Sequence, residues 1–103
     1  MTQKAIILDI AMNLNRIGNW AADDYVGKKD RIITFLSNTS GYLEDINKET
    51  FPSSFEGILS KFTGEYKTLE EEGFNGPKDT MLWAEKMMTW GNILTHRSKL
   101  LDL

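Results

Sequence analysis

Residues 51–77 read FPSSFEGILSKFTGEYKTLEEEGFNGP, and this stretch decides the fold. Phe55, Ile58, Leu59, Phe62, Tyr66 and Leu69 recur at three- and four-residue spacing, the period of one helix face. The strict alternation of a half-buried strand is absent. Pro52 disfavours helix at Phe51 and closes the loop before it. Ser53-Ser54-Phe55-Glu56 has the form of a capping box, in which the Ser53 hydroxyl accepts from the third helical N–H and Glu56 reaches back. Gly73 stands where a left-handed stop is expected, with Phe74 folding back on Leu69. Gly76-Pro77 then resets the chain. The stretch therefore predicts an amphipathic helix over about 54–72, whose apolar stripe has to be buried against other elements.

The same period recurs on both sides. Ile6, Ile7, Ile10, Leu14, Ile17 and Ala21 share one arc of a helix over about 3–21. Tyr25, Ile32, Ile33, Phe35, Leu36, Thr39, Tyr42, Leu43 and Ile46 form a broad face over about 24–47. Leu82, Trp83, Met87, Trp90, Ile93, Leu94, Leu100 and Leu101 lie together over about 78–101, with Pro77 or Asp79 opening the helix. Between the first two helices, Asp23 and Asp24 read as N-caps and Gly27 as a turn residue. Four amphipathic helices joined by short loops predict an all-α, antiparallel four-helix bundle of up-down-up-down topology, as a single domain over 1–103.

The composition agrees with one soluble, globular domain. The chain has 103 residues, 41% hydrophobic and 26% charged, which argues against global disorder. The absence of cysteine removes disulfide scaffolds, zinc–thiolate sites and cysteine nucleophiles. A net charge of −3 disfavours a phosphate-tracking surface, and the basic cluster Lys28, Lys29, Arg31 is broken by Asp30. No nucleic-acid partner is expected. The apolar run Ala5–Leu8 ends at Asp9, too short for a secretory signal, and no run approaches the roughly 18 apolar residues of a membrane span. The expected setting is the cytoplasm, without a membrane.

Catalytic chemistry has little to stand on. His96 is the single imidazole. It falls on the polar side of its helix, beside Thr95, Arg97, Ser98 and Lys99, which suits either an ordinary surface histidine or an exposed phospho-accepting one. A haem held by Met12 and His96 is rejected because both point away from the core. A di-iron site fails for want of a second histidine. Asp9, Glu44, Glu56, Glu65 and Glu85 lie outside their apolar arcs and read as solvated charges. Glu70-Glu71-Glu72 opposes the helix dipole at a C-terminus and suits a basic partner or a frayed, solvated turn. No nucleophile elbow, phosphate loop or dinucleotide fingerprint is present. No cofactor and no metal are expected.

What stands out is apolar or small character on outward faces. Ala5, Leu8 and Met12 form a second patch on the first helix. Met81 and Met88 stand opposite Trp83 and Trp90, and methionine suits adaptable contact surfaces. Gly57 and Gly64, seven apart, leave an outward helix face without side chains at a cost of about 0.8–1 kcal/mol each against alanine. Ala84, Gly91 and Ser98 border the core arc of the last helix and predict a close helix–helix seam within the bundle. Lys86 and Arg97 fall inside that arc. Lys86 is expected to cover the rings of Trp83 and Trp90, and the two cations together suggest an anion-binding groove as a lesser reading. The expectation is a small non-catalytic interaction or adaptor protein that self-associates, as a homodimer, or binds another protein. The alternative is phosphotransfer or other enzymatic work centred on His96.

Overall fold

The structure, a computed structural model, describes residues 2–101, with Lys48 described by its backbone alone. It contains four helices: α1 (Gln3–Asp24), α2 (Lys29–Asp45), α3 (Ser53–Asn75) and α4 (Thr80–Arg97). Short 3-10 turns occupy Lys48–Thr50 and Ser98–Leu101. The described residues include no strand. No helix among them is long and apolar enough to cross a membrane. The helices form the expected four-helix bundle. Each packs on its neighbours in sequence, and α4 closes the ring on α1.

The helix ends differ from expectation where side chains are used otherwise than the sequence suggests. Thr2 caps α1, its hydroxyl accepting from the Ala5 amide at 3.1 Å. The helix then runs on to Asp24, because the Asp24 carboxylate accepts from the Gly27 amide at 3.0 Å and so shapes the turn after α1. It does not cap α2, which begins at Lys29 without a side-chain cap. In that turn Lys28 pairs with Asp23, and the ammonium holds the Asp23 carboxyl below the usual carboxylate range. The capping box at Ser53 does not form. Helix α3 starts one residue earlier, and the Pro52 carbonyl accepts from the amides of Phe55 at 2.9 Å and Glu56 at 3.1 Å.

Gly73 does not stop α3. It is buried within the helix, where a Cβ would lie 2.6 Å from Leu36 Cδ1 and 2.7 Å from Trp83 Cζ2. Its missing side chain makes room for the Trp83 indole. The left-handed position falls instead to Gly76, at φ +93°. Phe74 is 38% exposed and takes its place on the surface. Helix α4 begins at Thr80, after Asp79, whose carboxylate accepts from the Leu82 amide at 3.0 Å.

Residue size sets how closely each pair of helices approaches. Between α1 and α4 the contact is made by Ala11, Gly18, Ala84 and Gly91, all buried. A Cβ at Gly18 would lie 2.4 Å from Met88 Cγ and 2.9 Å from the Ala84 carbonyl, and one at Gly91 would lie 3.0 Å from the Ala11 carbonyl. The predicted seam of Ala84, Gly91 and Ser98 is buried throughout. Between α3 and α4 stand large aromatics instead. Phe62 meets Trp90 at 5.3 Å between ring centroids, and the Trp83 indole N–H donates to the Leu69 carbonyl at 2.9 Å. These rings hold α3 and α4 apart while the small residues draw α1 and α4 together.

Helix α2 buries fully only Ile32, Leu36 and Thr39, fewer than its broad apolar face suggests. Buried polar groups tie it in. Asn13 Nδ2 donates to Thr39 Oγ1 at 3.4 Å, Thr39 Oγ1 donates to the Phe35 carbonyl at 2.8 Å, and the Tyr66 hydroxyl donates to the Leu36 carbonyl at 2.8 Å. On the outside of α1 and α2, Trp20 meets Phe35 edge to face at 4.9 Å, with Arg31 over Trp20 and Arg16 over Phe35. The described cation–π contacts are thus made by arginines on this face and not by Lys86 on α4.

Candidate functional site: the groove between α3 and α4

Where the aromatics separate α3 from α4, an open groove of about 1000 Å³ runs along the pair. Its floor is apolar. Leu69 and Trp90 lie at the bottom, with Ile58 and Ile93 half-buried beside them. Leu82 lines one end and is 46% exposed, more than a side chain of its size usually retains in a folded core. The rims carry charge. From α3 come Lys61, Glu65 and Glu72, and from α4 Glu85, Lys86, His96 and Arg97.

The local sequence explains the shape. Gly64 lines the α3 rim, and Gly57 stands two turns earlier on that helix. A Cβ built at either glycine meets nothing within 4 Å. The α3 wall is therefore low at Gly64, where bare backbone faces the groove. On α4, Thr89 and Asn92 supply short polar side chains between the charges.

The groove gathers several residues singled out from the sequence. Gly64, Lys86, His96 and Arg97 all line it, together with Glu72 of the acidic run and Glu65 and Glu85 among the solvated carboxylates. Lys86 and Arg97 are exposed on its rim and do not lie inside an apolar face. The wheel places them wrongly because α3 stands away from this side of α4, leaving it open to solvent. His96 is exposed as well, and among the described residues no hydrogen bond orients its ring.

The other predicted patches lie elsewhere. Ala5 and Leu8 are half-buried on α1, and Met12 is 48% exposed. Met81 is 58% exposed near the start of α4. Met88 is not on an outward face. It lies over Gly18, half-buried, because α1 approaches α4 closely enough to cover it. The groove itself was not visible in the sequence as a unit, since Ile58, Leu69, Trp90 and Ile93 read there as core. The available signal was the contrast between aromatics on α3 and small residues on α1, both facing α4.

The described residues hold no group of three or more histidine, aspartate or glutamate side chains placed to bind a metal ion. Compared with models of protein families, with curated proteins and with solved structures, the chain matches none of them.

Proposed function

We propose that the chain is a small helical interaction protein that works by docking a helical protein surface into the α3–α4 groove, without chemistry of its own. The observation that carries this reading is the groove's apolar floor, left open between two helices and bordered by charged rims. Such a surface is built like the grooves that take the apolar face of an amphipathic helix. The bare α3 backbone at Gly64 allows a partner to approach closely, and Leu82 supplies an exposed apolar anchor.

A photo-crosslinking residue at Thr89, within the groove, tests the reading against one at Asn38, exposed on α2. A protein adduct from position 89 and not from position 38 is the expected result. Equal adducts at both positions, or none at 89, would sink the proposal.

Phosphotransfer at His96 is the second reading, favoured by the exposure of the imidazole at the end of the groove that also holds Arg97. It ranks below docking because a nucleophilic or basic imidazole needs a third group to orient it. Acid-labile labelling that disappears in His96→Ala would reverse that order.

A further inference from the structure

The charges on the groove point to its occupant. Because α3 and α4 run antiparallel from the loop at 76–79, Glu72 and Glu85 lie at the loop end, whereas Lys61 and Arg97 lie at the far end. Lys61 and Glu72 are 11 positions apart. At about 1.5 Å of rise per residue this is roughly 16 Å, twice the ~8 Å Debye length at physiological ionic strength. The two ends therefore act as separate patches of opposite net sign: Glu72 and Glu85 outweigh the adjacent Lys86 at the loop end, and Lys61 and Arg97 outweigh Glu65, about 6 Å from Lys61, at the far end.

Resting on the docking reading above, we propose that the occupant is a second copy of the chain, docked groove to groove about a two-fold axis perpendicular to the helices. That operation reverses the second copy. Each acidic end then faces a basic end, and both charge contacts form at once, as an isologous interface requires. The apolar surface follows the same rule. The exposed Leu82 at the acidic end of one copy comes to lie over the half-buried isoleucines at the basic end of the other. A partner of uniform charge would be repelled at one end of the groove, whereas a second copy matches both.

Sedimentation velocity of the full chain tests this, with helix content followed by circular dichroism. Wild type is expected to form a concentration-dependent dimer that weakens at high salt. Lys61→Glu with Arg97→Glu makes both ends acidic, and Glu72→Lys with Glu85→Lys makes both ends basic. Each double variant should self-associate about tenfold or more weakly than wild type, since like charges then oppose across the interface. An equimolar mixture of the two should associate again, because every contact is complementary once more. Recovery in the mixture also shows that both variants are folded. Three results would overturn the proposal: a monomeric wild type, a dimer indifferent to the reversals, or a mixture that fails to associate. A monomeric wild type with a position-89 adduct to a different protein overturns the dimer alone and leaves the docking reading intact.

Discussion

Tyr66 shows how one residue carries both packing and polarity. Its ring is buried beside Phe62 at 5.5 Å, and its hydroxyl donates to the Leu36 carbonyl, tying α3 to α2. Burial first, and the nearby Glu70 carboxylate second, push its pKa well above the ordinary tyrosine value. Burial raises that of Tyr25 in the same direction. The unfolded chain then loses these protons first as pH rises through about 10, so the native state binds more protons there and stability falls. Below that pH the contribution is fully present. Tyr66→Phe is expected to cost about 1 kcal/mol near neutral pH and to flatten the alkaline decline, as denaturant melts at several pH values would show. Gly18 and Gly91 give a prediction of opposite kind. A methyl group at either meets backbone carbonyl as well as side chain across the α1–α4 seam. Gly18→Ala and Gly91→Ala should each destabilise by about 1–3 kcal/mol in thermal or denaturant unfolding, despite alanine's higher helix propensity.

At the scale of elements, α3 shows what period and punctuation can and cannot predict. Its stripe of Phe55, Leu59, Phe62, Tyr66 and Leu69 is buried as the spacing predicts, because a 3.6-residue period leaves an apolar stripe one way to avoid water. Its ends lie one to three residues beyond those the spacing predicts. The Pro52 carbonyl caps it where Ser53 was expected to, and Gly73 packs against Trp83 where it was expected to stop the helix. Both are decided by what lies across the bundle, which local signals do not contain. The outward glycines of this helix differ from the seam glycines in having open space around them. Gly57→Ala and Gly64→Ala are therefore expected to stabilise the folded chain by about 0.8–1 kcal/mol each in unfolding experiments. If the groove docks a second copy, Gly64→Ala, on the groove lining, raises the rim and weakens the dimer. Stability and association would then move in opposite directions, which a purely structural role for this position does not produce.

For the whole molecule, the bundle is uneven around its ring. Small residues make α1 and α4 one tightly joined pair, and the aromatic wedge between α3 and α4 leaves the opposite side of α4 open. The candidate site is a consequence of that imbalance. Narrowing the groove tests the link between them. Trp90→Leu removes ring volume from the floor and the contact with Phe62. The loss should cost about 2–4 kcal/mol in unfolding, since large-to-small changes in a core leave incomplete packing. It should also alter crosslinking at position 89, whereas Trp20→Leu on the α1–α2 face should leave that crosslink unchanged.

The sequence by itself determined the class of fold, the number of helices, the core stripe of α1, most of that of α3 and the small-residue seam on α4. Each of these follows from periodicity along one chain and from the need to keep apolar side chains out of water. It also marked Gly57, Gly64, Lys86, His96 and Arg97 as unusual, without a reason to group Lys86, His96 and Arg97 with Gly64. Only the tertiary structure decided which helix pair stands open, that these four residues share one groove, and that Met88 is covered while Leu82 is not. The physical reason is that a helical wheel records direction about one axis, whereas exposure depends on the distance to the neighbouring helix. That distance is set by side chains on the partner element, glycine and alanine on one side of α4 and aromatic rings on the other.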